Sequence, residues 1–305
     1  MLTILRLVRL PNLLIIAFTM YLTRYCLLIE FDAETHKFIN INYTLNNAGF
    51  GLLVLATVMI AAAGYIINDY FDTRIDAINK PEKLIIGVKV SRRMAMFTHV
   101  ILSTLGILIG FYLAYNIHHI KLGFINIITV TALWFYSRSF KKRFLIGNVI
   151  VSILSGLIPV IVTLFEPNIY KELYYFIAGY AIFAFIISLV REIIKDLEDI
   201  EGDMAENCKT LPIILGVRPT KTIVILLMAL IIALTSYVLY LPGFASSRMF
   251  ILYAVFAVQI PLLVLIYLTI SSRSKRNYHV MSLLTKGVMF TGVLSMYIFY
   301  YCLNH

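Results

Sequence analysis

The chain has 305 residues, 61% of them hydrophobic and 14% charged, with a mean hydropathy of +0.89. Soluble domains carry about a quarter charged residues, so the composition excludes a soluble globular domain and points to a membrane protein with many spans. The net charge of +10 follows the segments between apolar runs; no nucleic-acid partner is expected.

Crossing a bilayer takes about 20 apolar residues, and nine runs come near that length: roughly 11–29, 48–68, 96–115, 120–137, 146–165, 172–190, 220–241, 248–270 and 286–303. The start is basic, with Arg6 and Arg9, but the long apolar run has no small-residue cleavage site, so a retained first span is expected. The N-terminus and the 69–95, 138–143, 191–221 and 273–286 segments hold 21 of the 26 Lys and Arg residues. Only Arg24, Lys37, Lys121, Lys171 and Arg248 fall on the other side. The alternation holds across every run, which predicts a cytoplasmic N-terminus and a C-terminus outside.

The second run contains Ala61-Ala62-Ala63-Gly64, small residues that let helices approach closely in lipid. It leads directly into Asn68-Asp69-Tyr70-Phe71-Asp72-Thr73-Arg74-Ile75-Asp76. The sixth run leads into Lys195-Asp196-Leu197-Glu198-Asp199-Ile200-Glu201-Gly202-Asp203. Each cluster spaces its aspartates at i, i+3 and i+7, so on a helix the three carboxylates share one face. The two sets lie 127 residues and four runs apart, which puts both on the cytoplasmic side and hints at two pseudo-repeats within a single domain, residues 1–305.

Like charges crowded at a span end call for a counter-ion. Asn68, Asp69, Asp72 and Asp76 on one side, and Asp196, Asp199 and Asp203 on the other, form an all-oxygen donor set. That set suits magnesium, which takes one or two carboxylates and completes its shell with water and phosphate. Two clusters predict two ions gripping one diphosphate, where metal charge stabilises a leaving group. Lys195 occupies the place equivalent to Asn68, where it faces the phosphates or pairs with Glu198 or Asp199. A divalent-cation transporter is the reading from another class, but transport sites lie near the bilayer midplane, and these clusters sit at span ends.

Residues 77–95 and 204–219 contain Pro81, Gly87, Pro212, Gly216 and Pro219, and are expected to cap the cytoplasmic mouth. Lys80, Lys83 and Lys209 sit in these caps, and Lys141-Lys142-Arg143 follow Tyr136-Ser137 on the same side. Together they can neutralise a diphosphate. Tyr65, Tyr70 and Tyr136 are candidates to face a carbocation through the ring quadrupole. Cys26, Cys208 and Cys302 have no metal or redox spacing.

The two acidic motifs resemble those of the UbiA superfamily of intramembrane prenyltransferases: Asn68-Asp69-x-x-Asp72-x-x-x-Asp76 and Asp199-x-x-x-Asp203. Arg9-Leu10-Pro11-Asn12, Tyr136-Ser137 with Lys141-Lys142, Gly147-Asn148, and Lys209-Thr210-Leu211-Pro212 with Gly216 extend the likeness over most of the chain. The resemblance implies an all-α fold of nine helices around a central cavity with a cytoplasmic cap and a lateral opening to lipid. It implies Mg²⁺-dependent transfer of a prenyl group from its diphosphate. Asp72, Asp199, Lys141 and Tyr136 would be catalytic; Asn12, Arg74, Lys80, Lys83, Lys141, Lys142, Lys195 and Lys209 would bind substrate.

Within the family, the run Arg191 to Asp203 looks most like enzymes that move a geranylgeranyl group onto the hydroxyl of geranylgeranylglyceryl phosphate, a lipid-like acceptor. An aromatic acceptor of quinone synthesis, dihydroxynaphthoate or hydroxybenzoate, is the alternative. The chain departs from the family where an Arg-Pro-x-x-Ser-Gly turn is common: it reads Lys83-Leu84-Ile85-Ile86-Gly87-Val88.

Overall fold

Inside a bilayer every backbone N–H and C=O must find a partner within the chain, which makes long helices the natural outcome of nine apolar runs. The computed structural model describes residues 2–32, 37–167, 169–241 and 247–304. Among the described residues, nine helices are long and apolar enough to span a membrane, and they follow the nine predicted runs in order.

A short helix α1 (Leu2–Leu7) leads through Arg9, whose backbone is left-handed (φ 52°), into α2 (Leu10–Leu22). One π-turn extends α2 to Leu27. A hairpin, β1 (Ile29–Asp32) with β2 (Lys37–Asn40), pairs antiparallel at the far end. Next come α3 (Asn47–Asn79), capped by the Asn46 side chain, and α4 (Arg92–Asn116), capped by Ser91. They are followed by α5 (Gly123–Arg138), α6 (Ile146–Leu164) and α7 (Lys171–Glu198). Two short helices, α8 (Ile200–Ala205) and α9 (Leu211–Leu215), precede α10 (Val217–Tyr240). A π-turn joins α11 (Arg248–Ala254) to α12 (Ile260–Ser271), and α13 (Lys275–Asn304) closes the ring.

The motif-bearing ends of α3 and α7 gather with the starts of α2, α4, α6, α10 and α13, so the basic segments collect at one end of the bundle. α3 packs on α4 and α5, α6 on α7, and α7 on α13. Ala62, Ala63 and Gly64 are buried, and Ala61 and Gly64 also face the central cavity, so the small-residue run does draw the first motif inward. Large apolar side chains such as Leu226, Leu108, Ile128 and Tyr267 are exposed on the outer surface, as lipid-facing helices require.

Three helices are longer than their apolar runs. α3 continues through the first motif to Asn79, α7 reaches Glu198, and α13 starts at Lys275, 11 residues before the predicted 286. Hydropathy sees only the lipid-facing stretch. These extensions carry charge because they face the cavity or the motif end. The second motif departs from expectation in a different way. α7 stops at Glu198, Asp199 leaves helical geometry (φ −104°, ψ 11°), and α8 restarts at Ile200. The carboxylates of Asp196, Asp199 and Asp203 therefore do not share one helix face. The three cysteines are free.

Candidate active site

A cavity of about 1080 Å³ runs from the motif end into the bundle. Its mouth is lined by Asn68, Asp69, Asp72 and Asp76 from α3 and by Asp196, Asp199 and Asp203 from the break around α7 and α8. The two motifs face each other and are tied together by two consecutive residues at the end of α3. Lys80 Nζ lies 2.9 Å from the Asp199 carboxylate and 3.2 Å from Glu198. The buried Asn79 donates from Nδ2 to the Asp199 carbonyl (3.1 Å) and accepts from the Gly202 amide (3.0 Å). A Cβ at Gly202 would collide with the Asn79 side chain, so glycine is what lets α8 dock on α3. Lys275 Nζ donates to the Asn79 carbonyl (3.1 Å), bringing the start of α13 into the same junction.

Several motif carboxylates already have partners. Arg9 pairs with Asp69 at 2.7 Å and lies over the Tyr65 ring. The left-handed Arg9 backbone is uncommon for a side-chain-bearing residue, and the turn it makes leads directly into α2. Lys141 pairs with Asp72. The turn carrying Lys141 rests on the first turn of α6: a Cβ at Gly147 would come within 2.6 Å of the Lys141 Cα. Asn148 donates to Asp196 at 2.8 Å. Asp76 and Asp203 make no ion pair among the described residues. His279 reaches Glu198 at 3.0 Å from α13.

The electrostatics follow the burial. Burial and the neighbouring Lys142 bring the Lys141 ammonium down to about 7, so its charge depends on an anion beside it. Burial and the Asp199 carboxylate push Asp203 up to about 6. Burial opposes the Lys80 charge, but Asp199 and Glu198 outweigh it and hold this lysine above its ordinary value.

The donor set fits a hard cation. Asn68 Oδ1 is buried without a hydrogen-bond partner and its residue lines the cavity among aspartates. Among the described residues no three His, Cys, Asp or Glu side chains form a ready-made cage.

The expected substrate-binding set divides. Asn12, Lys80, Lys141 and Lys195 line the cavity with Tyr136. Arg74, Lys142 and Lys209 do not; Arg74 and Lys209 are exposed, and Lys142 pairs with Glu206 at 3.4 Å. The Lys83 side chain lies outside the described residues. Lys195 pairs with Glu192 (3.1 Å), one helical turn back along α7, and not with Glu198 or Asp199, which are held by Lys80. Tyr65 and Tyr136 line the cavity, whereas Tyr70 lies outside it, under Arg92. The sequence reading missed Arg9, Asn79, Asn148, Glu192, Arg191, His279 and Lys286 as site residues. Arg9, Asn148, Arg191 and Glu192 sat within recognised segments; Asn79, His279 and Lys286 carry no signal without the fold.

An intramembrane helical bundle with two aspartate motifs facing across one deep cavity defines a class, the membrane prenyltransferases. The UbiA prenyltransferase family matches residues 39–294, and the chain belongs to it. A digeranylgeranylglyceryl phosphate synthase of Methanothermobacter thermautotrophicus is 38% identical over 200 residues, covering 65% of this chain and 67% of the relative. A protein of the same name from Thermococcus kodakarensis is 32% identical over 245 residues, 80% and 83% of the two chains. A solved digeranylgeranylglyceryl phosphate synthase structure aligns at a TM-score of 0.65 and 24% identity, covering 98% of this chain and 97% of that one. A UbiA homologue from Archaeoglobus fulgidus bound to GPP and Mg²⁺ aligns at 0.58 and 15% identity, covering 97% and 99%. These likenesses establish the fold, and the nine apolar helices among the described residues, with the family membership, make this an integral membrane enzyme.

Proposed function

We propose that the enzyme transfers a geranylgeranyl group from geranylgeranyl diphosphate to the free hydroxyl of geranylgeranylglyceryl phosphate, making a membrane ether lipid. The acceptor oxygen bonds to the allylic carbon, the carbon–oxygen bond to diphosphate breaks, diphosphate leaves with the electron pair, and the hydroxyl proton is lost. The observation that carries this reading is the pair of aspartate motifs joined across the mouth of one cavity by Asn79 and Lys80. The synthase names of the relatives support the acceptor, and the GPP and Mg²⁺ bound by the Archaeoglobus fulgidus homologue support the donor and the metal.

Asn68, Asp69, Asp72 and Asp76 would hold magnesium from α3, and Asp199 and Asp203 would hold it from the α7–α8 break, with two ions. Magnesium there supplies positive charge against which the diphosphate can leave. Lys80 and Lys141 stand among these carboxylates, where they hand their charge from aspartate to phosphate oxygens. Tyr136 and Tyr65 line the cavity, where an allylic cation would form. Below the mouth, Ala61, Gly64, Leu133 and Ile158 make an apolar wall that excludes water and accepts the isoprenoid. The basic end of the bundle would face the cytoplasm, with the C-terminus outside.

The test is turnover of labelled geranylgeranyl diphosphate by the purified enzyme with each acceptor. Product with geranylgeranylglyceryl phosphate, abolished by a chelator and restored by Mg²⁺, is expected. Product only with dihydroxynaphthoate or hydroxybenzoate overturns the acceptor.

Asn79 has its own expected outcome. Removing its side chain breaks both links between the motifs, each about 1 kcal/mol, and loosens their spacing. Asn79→Ala should lower kcat by about 10- to 100-fold and raise the Mg²⁺ concentration needed for half-maximal rate. Asn79→Asp, which keeps the acceptor for Gly202, should fall between wild type and Asn79→Ala. A rate and Mg²⁺ dependence unchanged in Asn79→Ala refute the clamp.

A further inference from the structure

The cavity holds a second cationic group that the diphosphate chemistry does not use. Arg191 and Lys195 of α7 and Lys286 of α13 all line it. Arg191 and Lys195 share one carboxylate, Glu192, at 2.8 and 3.1 Å, and the buried Arg191 Nε has no hydrogen-bond partner. Lys286 makes no ion pair or hydrogen bond among the described residues. The charges bearing on it are Arg191, Lys195 and Arg9, with Glu192 the opposing one. Three cations around a single carboxylate inside a membrane bundle are costly unless an anion joins them.

The helix beneath them says what kind of anion. Lys286, Met289, Val293 and Met296 follow one another at helical spacing and all face the cavity. A single cation therefore stands at the top of an apolar stripe on α13, about one turn above Met289. The aspartate motif on α3 stands above a different apolar wall, around Gly64 and Leu133. Two charged heads over two apolar walls is the arrangement that two amphiphilic substrates require.

We propose that Lys286, with Arg191 and Lys195, binds the phosphate monoester of the acceptor, while the acceptor's own hydrocarbon chain lies along the α13 stripe. A phosphate monoester carries close to two negative charges at neutral pH, which matches the excess of two positive charges that Lys286, Arg191 and Lys195 hold over Glu192, Arg9 being paired with Asp69. The arrangement separates the two anions of the reaction: the diphosphate goes to the aspartate motifs and the monoester to α7 and α13. The hydroxyl beside the monoester is then carried toward the allylic carbon between them. This site rests on the proposed acceptor and assigns the residues that would select it over an uncharged glycerol ether.

The experiment measures KM for each substrate with full-length enzyme in lipid nanodiscs. Lys286→Met should raise KM for geranylgeranylglyceryl phosphate at least tenfold and leave KM for geranylgeranyl diphosphate within twofold. Lys286→Arg should restore the acceptor KM to within about threefold of wild type. With the dephosphorylated acceptor, geranylgeranylglycerol, Lys286→Met should match wild type. An unchanged acceptor KM, an equal rise in both KM values, or an equal loss on the dephosphorylated acceptor overturns the phosphate site while wild-type turnover leaves the reaction standing. Wild-type enzyme inactive on the phosphorylated acceptor overturns both.

Discussion

Asp72→Ala and Asp199→Ala are each expected to lower kcat by about 1000-fold or more while the protein still inserts and folds. The size follows from what the carboxylates do. Each faces the cavity mouth from a different motif and is already matched to a lysine, Lys141 or Lys80. In the proposed reaction that lysine would pass to the phosphates, and the carboxylate would be free to hold magnesium. Losing one arm removes several kcal/mol of charge stabilisation at the leaving group, and each 1.36 kcal/mol is a factor of ten. The fold tolerates the loss for a specific reason. Burial already brings Lys141 down to about 7, so without Asp72 it can shed its proton instead of standing as an unpaired charge. Asp72→Asn and Asp199→Asn keep the side-chain shape and should be nearly as inactive, because charge is what magnesium needs. Single-turnover rates with thermal unfolding of the same samples check both halves. Either alanine variant retaining a tenth of wild-type activity refutes the assignment of that motif.

The two aspartate motifs were legible because their carboxylates recur at one spacing and each motif ends an apolar run, and both line one cavity mouth. The nine spans were legible for the same reason that hydropathy works: lipid demands about 20 apolar residues whatever the fold. What was not legible is what three dimensions supply. Asn79 looks like one more polar residue after the first motif, and only the docking of α8 makes it a clamp. The break at Asp199 is hidden because Ile200-Glu201 continue a helical pattern in sequence, while the link to Asn79 holds Asp199 and Gly202 in a bent path. Lys286 was placed at the edge of the last span because its charge ends the apolar run. In the structure it lies well inside α13, facing the cavity, where a charge is admissible. Arg74 was drawn toward the site by its place in the first motif, and Lys142 and Lys209 by segments that resemble the family's and by a sign that topology imposes on every loop of that side.

The far end of the bundle carries the largest expected effect on stability. Arg24 is fully buried, and its guanidinium reaches Glu166 at 3.1 Å and the Leu45 carbonyl at 2.5 Å. It lies over the Tyr43 ring at 3.9 Å and the Phe50 ring at 4.5 Å. Glu166 in turn accepts from the Thr44 amide at 2.5 Å. Three segments therefore meet on one ion pair: the end of α2, the stretch before α3 and the turn after α6. Removing one partner strands the other charge away from water, which costs about 3–5 kcal/mol. Arg24→Met and Glu166→Leu should each unfold at markedly lower temperature or denaturant. The double variant should lose much less than the two single losses added, because no charge is left stranded. The motifs lie at the opposite end, so turnover per folded molecule should stay within about twofold of wild type in all three. Equal additivity of the two single effects would mean the residues contribute independently, and the pair is not what joins these segments.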